Sequence, residues 1–323
     1  MSGTDAFLDR TLLGFTKLGV SARGLDMHER FPEVAGKHVL VTGATGGIGR
    51  AAVRRLASNG ATVHAVGRSP DKLAALETDA DGTVQTYCAD LSNMEAIRNL
   101  TTGFVADGNR LDGIVNNVGV MSPERIVTPE GFEISYAVNL LGQYVLTTNL
   151  IPSLTAGESR VVLVSSGGMY TEPLTAANIQ STHGEYRATK AYARTKRGQV
   201  ALASHWARGL ATIGVRVNSM HPGWVDTDGV RDSLPTFRRI TRPLLRNADQ
   251  GADTIVWLIA SDEATELTGH FIHDRIPRRV HRTKRTVAEA STVDQFITTL
   301  KKDAAPYVVS PTKKPKDGPS ATD

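Results

Sequence analysis

Short apolar runs alternate from Lys37 onward with longer segments in which apolar residues recur every three or four positions. The short runs are His38–Thr42, Thr62–Val66, Val84–Cys88, Gly113–Val115, Val161–Val164, Val215–Val217 and Phe271–Ile272. Several consist almost entirely of Val, Ile and Leu, which is typical of parallel strands that are buried on both faces. Strands that alternate with helices predict repeated βαβ units. We therefore expect an α/β fold, with one doubly wound parallel sheet over residues 37–274.

An amphipathic segment precedes this predicted domain. Its apolar residues recur at helical spacing, and they are Phe7, Leu8, Leu12, Leu13, Phe15 and Leu18. The spacing predicts a helix over residues 6–20, within an N-terminal arm formed by residues 1–36. Three partners fit its apolar face: the domain itself, a second subunit of a homo-oligomer, and a membrane surface.

The C-terminal end of the chain is strongly basic. Eleven of the 37 Lys and Arg residues, but only three of the 33 acidic residues, lie between Arg275 and Lys316, and the whole chain has a formal charge of +4. The rest of the chain is therefore slightly acidic, so its charge gives no reason to expect a nucleic-acid partner. Residues 275–309 are predicted to be a basic extension with a short helix at Thr286–Lys302. The Pro, Lys, Gly and Ser of residues 310–323 predict a disordered tail.

The composition excludes several kinds of site. Cys88 is the only cysteine, which rules out an intramolecular disulfide and a multi-thiolate zinc site. His270 and His273 are three residues apart in a predicted strand, so their side chains point to opposite faces. We therefore predict no metal site.

The chain carries no obvious export or membrane-spanning signal. Its first twenty residues include four charged ones and no continuous apolar stretch. The longest uncharged run, residues 134–157, contains Asn139 and Pro152, which predicts a buried helix rather than a membrane span. We expect a cytoplasmic protein, with peripheral membrane contact as the alternative.

The first predicted strand leads directly into a glycine-rich turn, Thr42–Gly49, which precedes a helix predicted over Arg50–Ser58. Gly43, Gly47 and Gly49 allow a tight turn, close approach of a pyrophosphate to main-chain N–H groups, and packing of the helix near the strand. The N-terminus of that helix then faces the phosphates. A turn of this kind at the start of a βαβ unit predicts a Rossmann-type, dinucleotide-binding fold.

The end of the second predicted strand indicates which dinucleotide binds. An acidic residue that accepts a hydrogen bond from the ribose 2′-hydroxyl of NAD usually stands there. Here Arg68 lies nineteen residues after Gly49, Ser69 follows it, and the nearest carboxylate is that of Asp71. A guanidinium and a hydroxyl both bind a 2′-phosphate, so the sequence predicts NADP(H) in preference to NAD(H).

Further motifs follow in a fixed order. They are Asp90-Leu91, Asn116–Gly119, Asn139 within a helix, Ser165-Ser166, two Tyr-x-x-x-Lys sequences and Pro222–Thr227. Together with the glycine turn, this order resembles the short-chain dehydrogenase/reductase family over residues 37–274. Four segments look most like its dehydrogenase/reductase series: Ser165–Met169, Met220–Trp224, Gln250–Thr254 and Asp274-Arg275. The resemblance implies an enzyme that interconverts an alcohol and a carbonyl with a nicotinamide cofactor.

The resemblance and the glycine turn together assign residues to the cofactor. They are Gly43, Thr45, Gly47, Ile48, Gly49, Arg68, Ser69, Asp90, Leu91, Asn117, Gly119, Tyr192, Lys196, Pro222, Gly223 and Thr227. In the family pattern, Asp90 and Leu91 border the adenine, the Asn117–Gly119 turn passes the cofactor, and Thr227 helps to hold the nicotinamide carboxamide.

Two tyrosine–lysine pairs compete for the catalytic position: Tyr186 with Lys190, and Tyr192 with Lys196. A lysine four residues after a tyrosine lies on the same helix face, where its ammonium favours the phenolate. Six residues correspond to about 600° of helix, so the two tyrosines point in different directions. The positions that share a face with Tyr192 are apolar farther along the helix: Val200, Leu202, Trp206 and Ala207. We therefore assign Tyr192 and Lys196.

The family pattern supplies the remaining catalytic residues. Ser166 is expected to hydrogen-bond the substrate oxygen, with Ser165 as the fallback. Asn139 is expected to support a proton path from Lys196, although a buried asparagine that satisfies backbone groups fits the same position. Residues 169–182 are expected to form a flap over the substrate pocket.

Two functions from different classes remain after this reasoning. The first is an NADP(H)-dependent oxidoreductase acting on a lipophilic small molecule, a substrate class indicated by apolar residues of the two covering segments. These residues are Met169, Tyr170, Leu174, Trp224, Val230 and Leu234. The second is a redox-sensing regulator that binds NADP(H) without turnover. A pure sensor has no chemical need for Ser166, Tyr192 and Lys196 together, so the enzyme is favoured.

Overall fold

A computed structural model of the chain describes residues 3–233 and 235–309. The side chains of Thr4, Arg10, Asp228, Val230 and Asp232 lie outside this description. The predicted tail at residues 310–323 also lies outside it.

Eight strands form one sheet in the order β3-β2-β1-β4-β5-β6-β7-β8. Their bounds are β1 His38–Thr42, β2 Thr62–Gly67, β3 Val84–Cys88, β4 Gly113–Asn116, β5 Arg160–Val164, β6 Arg216–Met220, β7 Phe271–His273 and β8 Ile276–Arg278. The first seven strands pair in parallel and β8 pairs antiparallel with β7. The strand order reverses between β1 and β4, and ligands of such sheets bind at the carboxyl ends of the strands beside this point.

Helices cover both faces of the sheet. Their bounds are α1 Gly3–Arg10, α2 Lys17–Arg23, α3 Gly47–Ser58, α4 Pro70–Asp79, α5 Met94–Ala106, α6 Ile134–Tyr136, α7 Gly142–Leu150, α8 Ala188–Gly209, α9 Asp228–Ser233, α10 Pro235–Thr241, α11 Ala248–Ala260 and α12 Ala290–Ala304. Apolar residues of α3 and α11 pack on one face, and those of α5, α7 and α8 pack on the other. None of the helices among residues 3–233 and 235–309 is long and apolar enough to cross a membrane. The predicted doubly wound α/β domain is confirmed.

The sheet extends past the predicted end of the core at Asp274. Asp274 and Arg275 form the tight turn between β7 and β8, with φ values of 51° and 61°. Non-glycine residues are uncommon in this left-handed region, and hairpin turns that need it usually contain Asn-Gly or Asp-Gly. Here Arg246 donates two hydrogen bonds to the Asp274 carboxylate, at 2.6 and 2.8 Å, and Arg275 pairs with Asp253. Ion pairs with residues distant in sequence therefore stabilise this β7–β8 turn, which the local sequence does not predict.

The prediction of one amphipathic helix over residues 6–20 is wrong. The chain instead forms α1, a 3₁₀ turn at Leu12–Phe15, and α2. A methyl group on Gly14 would stand 2.5 Å from the carbonyl oxygen of Leu8, so glycine permits the close return of the chain at this point. Thr16 then begins a separate helix, because its hydroxyl oxygen accepts a hydrogen bond from the N–H of Leu18.

The apolar side chains of the arm divide into two sets. Leu8 and Phe15 are buried against the domain. Phe7 and Leu12 are 59% and 58% exposed, and Leu13 and Leu18 also face outward. The arm therefore packs on its own domain through one set and leaves the other uncovered by the described residues.

Buried ion pairs fasten the arm to the end of the sheet. Arg23 of α2 contacts the carboxylates of Asp5 at 2.8 Å and Asp274 at 2.6 Å. Arg278 of β8 donates two hydrogen bonds to Asp5. Removing one partner from such a network leaves a buried charge without compensation, which strongly destabilises a fold.

The basic extension contains a helix, as predicted, but with shifted bounds. Helix α12 buries Phe296, Ile297 and Leu300 against the layer formed by α7 and α8. The ring of Phe296 lies over Gly198 of α8, where a methyl group would stand 3.1 Å from its Cζ. This part of the extension is therefore a component of the folded core.

Candidate active site

The glycine-rich turn joins β1 to α3 by a close backbone crossing. Gly43 and Gly47 have φ values of 66° and 49°. A methyl group on Gly49 would overlap the carbonyl oxygen of Gly43 and stand 2.5 Å from Nδ2 of Asn117. That amide donates to the carbonyl oxygen of Thr42 at 2.8 Å, so Asn117 braces the turn. The crossing fits a cofactor phosphate, because it brings the N-terminus of α3 to an open backbone surface.

Other predicted cofactor residues surround this turn. Thr45 packs its methyl group toward Gly67 at the end of β2, and Ile48 packs toward Gly251 of α11. The segment after β6 reaches the turn as well, since a methyl group on Gly47 would stand 3.2 Å from Cγ2 of Thr227. The carboxyl ends of β1, β2 and β6 therefore meet here.

The segments that follow β2 and β3 lie at the same carboxyl edge of the sheet. Arg68 is exposed directly after β2. Ser69 caps α4, with its hydroxyl oxygen accepting a weak hydrogen bond of 3.5 Å from the N–H of Lys72. Asp90 is exposed and accepts from the N–H and the hydroxyl of Ser92 at 2.9 and 2.8 Å. Leu91 is buried. Arg68 thus presents an accessible positive charge, while Asp90 forms a local turn.

The loop after β6 contributes Pro222 and Gly223. Gly223 has a φ of 85°, and a side chain there would overlap the guanidinium of Arg246. Arg246 also donates to the carbonyl oxygen of Pro222 at 3.2 Å. This buried arginine therefore fixes the course of the loop toward Thr227.

Tyr192 and Lys196 lie on α8 and face the sheet. The Nζ atom of Lys196 donates to the carbonyl oxygen of Val164, at the end of β5, at 2.7 Å. It lies 5.3 Å from the centroid of the Tyr192 ring. A methyl group on Gly119 would stand 3.2 Å from the same Nζ, so the backbone turn after β4 passes directly beside the lysine.

The two serines after β5 have different surroundings. The hydroxyl of Ser165 donates to the carbonyl oxygen of Lys196 at 2.8 Å and is buried, so it braces α8. The hydroxyl oxygen of Ser166 accepts from the N–H of Gly168 at 3.1 Å, and the Tyr192 ring lies on the same side of Gly168. Of the two, Ser166 is the serine that accompanies the tyrosine.

Asn139 lies in a π-helical turn, Ala137–Leu141, between α6 and α7. Its side chain exchanges two hydrogen bonds with the backbone of Val120, at 2.8 and 2.9 Å, and donates to the hydroxyl of Thr195 at 3.0 Å. Single π turns of this kind occur frequently at functional sites. Here Asn139 joins the loop after β4 to the residue that precedes Lys196.

The competing pair has a different location. Tyr186 precedes α8, and its hydroxyl lies 3.1 Å from a carboxylate oxygen of Glu133. Lys190 is exposed. The four apolar residues that share a face with Tyr192 are all buried: Val200, Leu202, Trp206 and Ala207. The structure therefore brings Tyr192 and Lys196 to the sheet and leaves Lys190 at the surface.

Burial controls the acid–base properties of the pair on α8. Removal from water disfavours the phenolate and raises the pKa of Tyr192 to about 12, although the polar side chain of Ser166 opposes this shift. Burial also disfavours the ammonium and lowers the pKa of Lys196 to about 7. Tyr192 therefore holds its proton at neutral pH, and the charge of Lys196 changes near neutrality.

The residues expected to cover the substrate differ in whether they are buried in the core or lie on the loop after β6. Met169 is buried against Val200 and Phe271, and Leu174 belongs to the main core, so neither is an open wall of a pocket. Trp224 instead lies between the rings of Phe15 and Phe237, with ring centroids 5.9 and 5.1 Å away. Leu234 and the side chain of Val230 lie outside the described residues.

Sequence reasoning passed over two residues next to the candidate site. His221 received no role from the sequence, yet its Nδ1 lies 3.0 Å from the backbone nitrogen of Gly167, the residue after Ser166. Phe15 was counted only as part of an apolar stripe, yet its ring packs on His221. The position of His221 directly before Pro222 was the available signal for the first, while the second depends on a contact between distant residues. No group of three or more His, Cys, Asp and Glu side chains suited to a metal ion occurs in the described part of the chain.

Comparison with known proteins agrees with this arrangement. Residues 37–236 match the family model of the short chain dehydrogenases. The chain is 37% identical over 276 residues to dehydrogenase/reductase SDR family member 12 of Homo sapiens, covering 83% of this chain and 86% of that protein. It is 33% identical to retinol dehydrogenase 12 of Homo sapiens, covering 75% of this chain and 79% of that protein.

A solved structure shows the same fold. A short-chain dehydrogenase from Burkholderia cenocepacia, crystallised in complex with NADP, superposes with a TM-score of 0.60 at 25% sequence identity, covering 74% of this chain and 96% of that one. The resemblance inferred from the motifs is confirmed. The chain belongs to the short-chain dehydrogenase/reductase family and is an oxidoreductase that acts on CH–OH groups.

Proposed function

We propose that the protein is an NADP(H)-dependent oxidoreductase that interconverts an alcohol and a carbonyl on a lipophilic small molecule. The observation that supports this most directly is the grouping of Tyr192, Lys196 and Ser166 at the carboxyl ends of the central strands. Gly119 touches Lys196, and Asn117 of the same loop braces the glycine turn, so the three groups adjoin the candidate cofactor site.

The residues of the glycine turn fit a dinucleotide. The crossing of Gly43 and Gly49 has no room for side chains, and Cγ2 of Thr227 lies close to Gly47 on one side of it. A bound nicotinamide would supply or accept the hydride. Arg68 is exposed at the end of β2, where a carboxylate for the ribose of NAD is missing from the sequence, and this favours a 2′-phosphate.

The protein's own groups would move the proton. In reduction, Tyr192 donates its hydroxyl proton to the carbonyl oxygen as that oxygen gains negative charge. Ser166 donates a hydrogen bond to the same oxygen: its own oxygen accepts from the N–H of Gly168, and its hydroxyl hydrogen is left to donate. Protonated Lys196 stabilises the resulting phenolate, which then recovers a proton. The reverse sequence removes the proton from an alcohol.

The substrate class is supported by Trp224 and by one relative. Trp224 presents an aromatic side chain on the loop after β6 and contacts Phe237 of α10. The relative retinol dehydrogenase 12 is named for retinol, a lipophilic alcohol. A screen of NADPH oxidation and NADP⁺ reduction over retinoid, steroid and fatty aldehydes and alcohols would find the substrate.

The catalytic assignment is tested within that screen by Tyr192→Phe. We expect kcat to fall by about 10²–10⁴-fold, the usual contribution of general acid–base catalysis. The matched control is Tyr186→Phe, which removes the hydroxyl of the competing pair and should leave kcat within about twofold. Undiminished turnover by Tyr192→Phe would contradict the assignment.

Cofactor preference has a separate test in binding. Arg68→Ala should raise the Kd of NADPH by about 10–100-fold, since hydrogen bonds to charged groups contribute about 1.5–3 kcal/mol. The Kd of NADH should not change, because NADH lacks the 2′-phosphate. Equal affinity of the wild-type protein for both cofactors, unaltered by Arg68→Ala, would refute the preference.

We propose that the protein works in the cytoplasm. We also propose that the outward apolar side chains of the arm, those of Phe7, Leu12, Leu13 and Leu18, contact an anionic membrane. Phe7 and Leu12 are more than half exposed, and Lys17 of the same arm is also exposed. Arg282 of the basic extension pairs with Asp9 of α1 at 3.3 Å, so a basic residue of the extension lies against the arm. Vesicles with phosphatidylserine should sediment the full chain, and Phe7→Ser with Leu12→Ser should abolish that binding while leaving the melting temperature unchanged. Equal sedimentation of the double variant would exclude this surface.

A further inference from the structure

His221 stands at the end of β6, beneath the segment that carries Ser166. It is buried, and its Nδ1 accepts hydrogen bonds from the N–H of Gly167 at 3.0 Å and, more weakly, from that of Gly223 at 3.4 Å. A ring nitrogen that accepts from N–H groups carries no proton, so the imidazole is neutral with its hydrogen on Nε2. Its buried surroundings, with His273 and Arg246 nearby, hold the pKa of His221 well below its usual value, which agrees with the neutral form.

The contact fixes the peptide next to the candidate catalytic serine. Ser166 and Gly167 share a peptide bond, and the hydroxyl oxygen of Ser166 accepts from Gly168 in the turn that begins there. A methyl group on Gly167 would stand 2.9 Å from Nε2 of His221 and 3.4 Å from the ring of Phe15. The glycine backbone therefore lies directly on the imidazole, with no space for a side chain between them.

The N-terminal arm holds this imidazole in place. The ring of Phe15 meets the His221 imidazole edge to face, with centroids 4.6 Å apart. The His273 ring stacks on the same imidazole, with centroids 4.8 Å apart. Nε2 of His273 lies 3.0 Å from the carbonyl oxygen of Gly14 in the arm. Among the described residues, Nε2 of His221 has no hydrogen-bond partner, so aromatic packing and the Nδ1 contacts set the ring orientation.

We infer that His221 is a positioning residue for Ser166: its Nδ1 orients the Ser166–Gly167 peptide so that the serine hydroxyl faces the substrate oxygen, and Phe15 of the arm holds the imidazole. The inference rests on the proposed function, because it assumes that Ser166 binds the reacting oxygen. It adds that the acceptor atom of His221, rather than the bulk of its ring, matters for turnover.

Three variants of the full chain separate these two roles. His221→Asn keeps an acceptor oxygen near the position of Nδ1, His221→Gln moves the acceptor to the position of Nε2, and His221→Leu removes it. We expect kcat to fall about tenfold or more in the Gln and Leu variants, since small misplacements of a catalytic group are costly, and to stay within about threefold in the Asn variant. The Kd of NADPH should remain within about twofold in all three. His270→Leu, at an exposed histidine, is the matched control.

Two outcomes of this series would overturn the inference. The first is wild-type kcat in His221→Leu, and the second is an Asn variant that folds, as judged by its melting temperature, yet is as slow as the Leu variant. The second outcome would show that packing of the ring is what matters.

A substrate-free measurement keeps the inference distinct from the proposed function. Long-range ¹H–¹⁵N spectra of the wild-type histidine rings should show one buried imidazole, absent from His221→Asn, that remains protonated on Nε2 alone from pH 5.5 to 8.5. A signal from His221 protonated on Nδ1 would refute the inference. If the spectra agree but no substrate turns over, the proposed function fails while the Nδ1 contact stands.

Discussion

Gly49→Ala should weaken cofactor binding at the glycine turn in a protein that still folds. The added methyl group would stand 2.5 Å from Nδ2 of Asn117 and overlap the carbonyl oxygen of Gly43, whereas Cβ contacts under 3.0 Å essentially never occur in proteins. The turn must therefore open by roughly 0.5 Å or more on the Asn117 side alone, and overpacking of this kind costs about 1–3 kcal/mol of stability.

The same displacement moves the N-terminus of α3 away from the candidate phosphate position. Loss of one or two hydrogen bonds to a charged group, at about 1.5–3 kcal/mol each, predicts a rise of at least about tenfold in the Kd of NADPH. Gly46→Ala is the matched control, because Gly46 has an extended backbone and a methyl group there meets no atom within 4 Å. Titration of NADPH by protein fluorescence, at a temperature where both variants are folded, measures the difference. An NADPH affinity of Gly49→Ala within twofold of the control would refute the reasoning.

Three further results are expected. Lys196 is charged below its pKa of about 7 and loses that charge as the pH rises, so the kcat for carbonyl reduction should fall above pH 7; a pH–rate profile tests this, and Lys196→Arg should move the fall to higher pH. Phe296→Ala should lower the free energy of unfolding by about 3–5 kcal/mol in urea titrations, because its ring is fully buried; a loss below 1 kcal/mol would show that α12 is dispensable. Hydrogen bonds from Arg278, and less strongly from Arg23, hold the pKa of Asp5 at about 2, so its stabilising ion pairs persist at neutral pH and are lost as the pH falls from about 4 to 2. Protease sensitivity of the arm should rise over that range in the wild type, whereas Asp5→Asn should be sensitive already at pH 7.

The sequence was sufficient where local pattern and structure coincide. Short apolar runs predicted seven strands within a residue or two at most ends. The central strands were the clearest, because they are buried on both faces and therefore almost entirely apolar. The glycine turn and the position of Tyr192 on α8 were equally accessible, since steric need and helical spacing are local properties.

The features that the sequence did not reveal depend on distant partners. The turn at Asp274 and Arg275 is held by Arg246 and Asp253, neither of which is near it in sequence. The arm breaks into two helices at Gly14, where the chain returns so close to the backbone of Leu8 that only glycine fits. The placement of His221 likewise depends on the crossing of two loops.

The attachment of the arm has a consequence for the order of folding. Asp5 and Arg278 are separated by 273 positions, and the site that receives the arm is completed only by β7 and β8. During synthesis, residues 3–24 leave the ribosome long before this site exists, at about 5–20 residues per second. Contacts of such high sequence separation form late, because loop closure must be achieved before they contribute. The arm is therefore made well before its partners but reaches its native place after them, and the packing around His221 is completed only once β7 and β8 have been made.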